Sequence, residues 1–281
     1  MGLEVTLLVL LAACMNAGWN AVIKVSGDRI AVMAVVTLLG SGLSCLALPF
    51  VALPDPASWP LLALAILLHT GYHFVLPLAY NYGDFGQVYP LARGSAPLLV
   101  GMGAALFAGE VLSGLPLLGV AFLAVGVMAL AFDRGTGIRR NPAAVLLALG
   151  TGMFIAGYTL VDGLGARLAG SAIGFAVCLT IGDGLLTFII AAVWKRRAIA
   201  QVIGTNLKPT ALAGGMQICS YWIIIWALAH APLAMVSALR ETSVLFAAVI
   251  STFILKEGFG VWRFVSAGLI ACGIGLTRYR P

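Results

Sequence analysis

Ten apolar stretches of about 20 residues follow one another along this chain, with little between them. They fall at about 3–24, 30–53, 58–82, 86–108, 112–132, 142–162, 171–194, 209–230, 232–255 and 259–278. A helix crosses the hydrocarbon core of a bilayer in about 20 residues. No water there satisfies a backbone N–H or C=O, so each crossing segment must close its own hydrogen bonds as a helix. The pattern predicts an all-α membrane protein of ten transmembrane helices. Of the 281 residues only 9% are charged and 62% are apolar, too little charge to cover a soluble domain of this length. The short separators leave no room for a soluble catalytic domain.

What lies between the runs carries the charge. The net charge of +6 resides largely in loops, which argues for sorting by membrane side rather than for a nucleic-acid partner. With the N-terminus outside, the inner loops hold Lys24, Arg29, Arg134, Arg139, Arg140, Lys195, Arg196, Arg197, Lys208 and Lys256. The other side holds only Arg167, Arg278 and Arg280. This count places both termini in the periplasm, if the membrane is a bacterial inner membrane. No Lys or Arg precedes Lys24, so the first run reads as a retained span and not a signal peptide. The five cysteines stand singly within apolar runs, without metal-ligand or disulfide spacing. They read as small packing residues, as do Gly101, Ala105 and Gly109, and Gly268 with Cys272.

The chain also repeats itself. A shift of 147 residues aligns 79–130 with 226–277 without a gap. Arg93 then falls on Arg240, Ser95 on Thr242, Glu110 on Glu257 and Gly126 on Gly273. Asp133–Asn141 reads as the joint, giving one five-helix unit over 1–135 and another over 136–281. Five is odd, so the second unit must insert upside down. Inverted repeats are a hallmark of secondary transporters.

Ionisable groups inside spans are costly and mark function by default. Arg93 lies in the fourth run and Arg240 in the ninth, beside Glu241. A guanidinium suits a substrate carboxylate, with Glu241 taking an ammonium or balancing the arginines; the alternative is a structural ion pair or a snorkelling side chain. His69 and His73 share one face of the third run with Tyr72 and Tyr80, and Tyr82 follows. This stripe suits a cavity, with His69, His73 and Glu241 as candidates for proton coupling. Trp19 and Asn20 continue a polar stripe begun by Asn16 in the first run, and Tyr158, Tyr221 and Trp222 mark the sixth and eighth. Pro77, Pro90 and Pro97 should kink the third and fourth helices. There is no HExxH motif, nucleotide-binding glycine loop or nucleophile elbow.

Ten spans, a five-plus-five repeat and the spacing from Pro97 to Gly109-Glu110 resemble the EamA-type drug/metabolite transporter superfamily. AGWNAVIK (17–24) and YPLARGSAP (89–97) resemble one bacterial branch of it. Val244, standing where the first unit has Pro97, departs from the repeat. The resemblance implies a central cavity that opens to one side at a time, and a non-enzymatic exporter of amino acids, aromatic ones included. The substrate contacts expected from the polar and aromatic residues within the spans are Trp19, Asn20, His73, Tyr80, Tyr82, Arg93, Tyr158, Tyr221, Trp222, Arg240 and Glu241. Its expected partners are a small-molecule solute and membrane lipids, with no cofactor, metal or nucleic acid, and it is expected as a monomer. Efflux of drugs or anionic metabolites is the alternative transport reading. An intramembrane enzyme using Asp162, Asp183 or His73 is the reading of a different class.

Overall fold

The computed structural model describes residues 2–25, 27–79, 82, 85–129, 142–253 and 261–278. The chain winds through α1 (Leu3–Val25), α2 (Arg29–Ala47), α3 (Trp59–Ala79), α4 (Phe85–Phe107), α5 (Gly114–Ala129) and α6 (Pro142–Leu168). It continues through α7 (Ala172–Thr205), α8 (Leu207–His230), α9 (Leu233–Arg240), α10 (Ser243–Phe253) and α11 (Val261–Arg278). Described residues outside these helices form only turns and short 3₁₀ segments, with no strand among them.

Among the described residues, seven helices are long and apolar enough to cross a membrane, namely α1 to α4 and α6 to α8. This is a multi-pass membrane protein. Its surface is correspondingly inside out. On α1, Leu3, Leu7 and Leu11 recur every four residues and are exposed, while Val9, Ala12, Ala13 and Asn16 are buried. On α4, Leu98, Met102 and Leu106 form the same kind of outer stripe. Such stripes suit lipid tails, and the polar side chains turn inward.

Three departures from the sequence expectations have physical causes. The ninth apolar run is not one helix. It divides into α9 and α10 at Glu241 and Thr242, where three-residue hydrogen bonds such as Thr242 N–H to Leu239 C=O (3.1 Å) tighten the turn. The break falls where the run carries its charges. Of the expected packing seams, Gly101 does pack, since a Cβ there would stand 3.6 Å from Ala234 Cβ, but the rest move. Gly109 has φ of 65° and no neighbour against a would-be Cβ, so it serves the turn after α4. Ala105 and Cys272 face outward, and Gly268 meets nothing. The close approach lies instead between α5 and α11, where a Cβ on Gly273 would stand 2.8 Å from the Gly119 carbonyl. Four cysteines are exposed and Cys178 is half-buried, so they line the periphery more than the packing. The joint at Asp133–Asn141, together with Lys256 and Glu257, lies outside the described residues.

The main helix contacts join the first five helices to the later ones. α2 packs on α7 and α5 on α11. α3 and α4 pack on α6, while α1 packs on α8, α9 and α10. α3 meets α7, and α2 meets α8.

Two ion pairs tie these groups near the helix ends. Asp28 caps α2 by accepting from the Ala31 N–H at 3.2 Å. It also accepts from Lys195 Nζ at 2.9 Å, at the point where α7 departs from helical geometry. Glu110, just past α4, pairs with Arg167 NH1 at 2.7 Å and accepts from the Leu233 N–H at 2.8 Å at the start of α9. Arg167 donates in turn to the carbonyls of Leu228 (3.1 Å) and Ala231 (2.9 Å) at the end of α8. Here an acid meets a helix N-terminus and a base meets a helix C-terminus, as the helix dipole favours. Successive spans reverse direction, so the two pairs sit at opposite ends of the bundle.

Two predictions follow from this packing. Gly273→Leu should force α5 and α11 apart and destabilise the protein by about 1–3 kcal/mol, read from thermal unfolding in detergent. Burial pushes the Asp28 carboxyl up, but hydrogen bonds from Lys195 and the Ala31 N–H outweigh it and hold the carboxyl below its ordinary value. The contact therefore contributes its full stability above the ordinary carboxylate range and loses it as pH falls through the lowered value. Melting curves of Asp28→Asn should show a flatter acid limb than wild type.

Candidate solute-binding site

Pro97 lies inside α4 and has no N–H to offer the carbonyl of Arg93 one turn earlier, so the helical hydrogen-bond ladder is interrupted there. The same stretch carries Arg93 inward. The break between α9 and α10 delivers Arg240 and Glu241 to the same depth. Glu241 is fully buried, and its carboxylate lies between two guanidinium groups. Arg93 NH1 reaches Oε2 at 3.1 Å and Oε1 at 3.3 Å. Arg240 NH2 reaches Oε1 at 3.2 Å and also the Thr159 hydroxyl at 3.4 Å. With both arginines at most 5% exposed, neither snorkels to an interface.

α3 supplies the second part of the site. His69 Nε2 lies 3.0 Å from Asp162 Oδ2 of α6 and 2.6 Å from the Tyr221 hydroxyl of α8. Tyr221 also donates to Asp162 Oδ2 in a short hydrogen bond. One turn on, His73 Nδ1 lies 3.2 Å from the Thr187 hydroxyl and 3.4 Å from Asp183 Oδ1 of α7. Thr70 and Thr187 both donate to that oxygen at 3.2 Å. The i, i+4 spacing of the histidines thus meets carboxylates on two different helices.

Tyr158 joins the two parts. Its ring stacks on His69 at 4.0 Å between centroids and lies 5.5 Å below the Arg240 guanidinium. The groups surround a cavity of about 720 Å³, counting the space at its opening, and it is lined from α1, α2, α3, α4, α6, α7, α8 and α9. Trp19 lines the cavity from α1, its indole N–H held by Asn16 Oδ1 at 3.0 Å. Thr37, Thr180, Gln217 and Ser220 add polar groups to the wall.

Of the residues singled out from sequence, Trp19, His69, His73, Arg93, Tyr158, Tyr221 and Arg240 line this cavity. Glu241 lies directly behind it, bound to both arginines. Asn20 donates to the Asn16 backbone at 2.8 Å, and Trp222 donates to Thr180 at 3.2 Å; neither lines the cavity. Tyr82 is exposed, and Tyr80 lies outside the described residues. Sequence reasoning left Asp162 and Asp183 out of the solute site, although each is an ionisable residue inside an apolar run and could have been found on that ground. They change the electrostatics. Among the described residues, the cavity and its wall hold two guanidinium groups, of Arg93 and Arg240, and three carboxylates, of Glu241, Asp162 and Asp183. Among the described residues no group of three or more His, Cys, Asp or Glu side chains is arranged to hold a metal ion.

Comparison with known proteins agrees with this architecture. Residues 142–279 match the EamA-like transporter family. That family belongs to the drug/metabolite transporter superfamily. Over nearly the whole length the fold is that of a solved structure titled only "Crystal structure of protein". That similarity has a TM-score of 0.74 and 14% identity, covering 98% of this chain and 95% of the other. No curated protein matches the sequence.

The buried charge arrangement has a measurable consequence. Glu241→Gln leaves two guanidinium groups facing each other without a carboxylate. Removing one partner of a buried ion pair costs about 3–5 kcal/mol, so this variant should melt well below wild type. Replacing Arg93, Glu241 and Arg240 together by apolar residues of similar volume should recover much of the loss.

Proposed function

We propose that this protein is a secondary transporter that exports amino acids, or zwitterions of similar size, by alternating access across a bacterial inner membrane. The observation that carries this reading is a cavity lined by a guanidinium pair, Arg93 and Arg240, and by the Asp183–His73 pair. A zwitterion presents a carboxylate and an ammonium group, and this cavity offers a counter-charge to each. Arg240 and Arg93 would meet the carboxylate, with Glu241 holding them in place. Asp183 would meet the ammonium group, and Trp19, Tyr72 and Tyr158 would pack against the side chain. The resemblance of the sequence to the bacterial amino-acid exporter YddG in length and layout supports the same substrate class.

The two-unit organisation belongs to this proposal. Exchanging the first five helices for the last five turns the α3–α6 contact into α1–α8, and α3–α7 into α2–α8. The contacts of α4 with α6 and of α1 with α9 and α10 exchange in the same way. A bundle of two inverted repeats would have this pattern, and rocking one repeat on the other is how such folds open alternately. The ion pairs Asp28–Lys195 and Glu110–Arg167 join the proposed halves at opposite ends, so each would part when its own end opens. By the charge count along the loops, both termini lie in the periplasm.

Purified protein in liposomes should show saturable counterflow with a panel of labelled amino acids. Arg240→Gln should lower it by about tenfold or more, the effect of losing one charge-assisted hydrogen bond. Asp183→Asn should lower flux of amino acids more than flux of carboxylic acids that lack the amine. Flux of organic anions or lipophilic cations without any amino-acid flux would replace this reading with drug or metabolite efflux.

A further inference from the structure

α7 is longer than a membrane span needs. At about 1.5 Å per residue, its stretch 172–194 already covers the hydrocarbon core. The chain then departs from helical geometry at Lys195 (φ −122°, ψ 21°) and resumes as helix over 196–205. Trp194 stands at the boundary. It is exposed, with its ring T-shaped to Phe74 at 6.1 Å, as suits an aromatic side chain at headgroup level. The segment beyond it therefore lies at the membrane surface, at the end of the bundle that holds Asp28.

One face of this segment is committed to the protein. Ile199 and Val202 are buried in the cluster that holds Ala31 and Val32 of α2. Lys195 is taken by Asp28 at 2.9 Å. The other face is open. Arg196, Ala200 and Ile203 recur every three or four residues and are all exposed, and Leu207 continues the stripe at the start of α8. Arg197 and Lys208, beside them in sequence, are exposed as well. No carboxylate among the described residues pairs with Arg196, Arg197 or Lys208. The opposite end of the bundle carries the reverse charge: Arg167 is bound to Glu110 there, while Glu4 and Asp55 are exposed.

An exposed apolar stripe edged with unpaired bases needs a neighbour that is oily and negatively charged at once. An anionic phospholipid is both. Its acyl chains cover Ile203 and Leu207, and its phosphate accepts from the guanidinium groups. A zwitterionic phospholipid covers the stripe equally well, but its own cation offsets the phosphate. An acidic soluble protein answers the charge and leaves the stripe to water.

We propose that the surface formed by 194–208 is a headgroup site for an anionic phospholipid, with Arg196, Arg197 and Lys208 on the phosphate and Trp194, Ile203 and Leu207 against the adjoining chains. The site is independent of what the central cavity carries.

The test uses full-length protein in mixed micelles holding equal amounts of phosphatidylglycerol and phosphatidylcholine with the same acyl chains. Lipid retained on the protein is counted by native mass spectrometry. Each basic residue near an anionic surface adds about fivefold to the attraction, so wild type should retain phosphatidylglycerol about tenfold or more over phosphatidylcholine. The combined Arg196→Gln, Arg197→Gln and Lys208→Gln variant should bring the two lipids within about twofold of each other. It should melt with wild type, because all three side chains are exposed. The charge-retaining Arg196→Lys and Arg197→Lys double variant should keep the preference within about threefold, since an ammonium group also binds phosphate. Preference that survives the triple substitution overturns the site, as does its loss in the double lysine variant. Equal retention of both lipids by wild type overturns the lipid and leaves an acidic soluble partner as the occupant of the patch. Release of phosphatidylglycerol by inorganic phosphate alone overturns it in favour of a soluble phosphate ligand.

Discussion

A charge in the middle of a membrane protein must find its counter-charge among the neighbouring helices, because neither water nor lipid will supply it. Here two arginines from distant parts of the chain find the same glutamate. Arg93 and Glu241 are separated by 148 residues in sequence and by 3.1 Å in space. The pairing fixes the depth of α4 against the break between α9 and α10. Once that depth is set, Tyr158 lies under Arg240, His69 stacks on Tyr158, and Asp162 closes the column. The cavity is the space these obligatory contacts leave open.

The same rule of paired charge operates near the ends of the bundle with less at stake. Asp28–Lys195 and Glu110–Arg167 are partly exposed, so each is weak enough to break. Each also finishes a helix terminus, and breaking one frees backbone groups that water can then satisfy. Pairing is fully buried in the centre of the bundle and partly exposed at both ends.

Much of the bilayer logic was legible in the residues. Runs of about 20 apolar residues announce spans because of the thickness of the hydrocarbon core. Arg93, Arg240, His69 and His73, which line the cavity, were legible as inward-facing because ionisable groups in such runs need partners. Asp162 and Asp183, also ionisable groups inside apolar runs, obey the same rule and find their partners in His69 and His73. Asn20 and Trp222 show the limit of helical periodicity. Each shares its stripe with a true lining residue, yet their polar atoms point to Asn16 and Thr180 instead. A spacing of three or four residues selects a face about 100° wide, and a cavity wall is narrower than that.

By itself the sequence determined the class of this protein: an all-helical chain that lives in a bilayer, with rare charges at positions that recur between its halves. Hydrophobicity and helical periodicity are local properties, so they can be read without knowing which helices touch. Only the tertiary structure decided that Arg93 and Arg240 share Glu241, and that the two histidines meet two different aspartates. It also decided that the ninth span breaks at its charged residues and that the close glycine contact falls between α5 and α11. These outcomes depend on which helix faces which at a given depth, a property of packing between segments far apart in the sequence that no local pattern records.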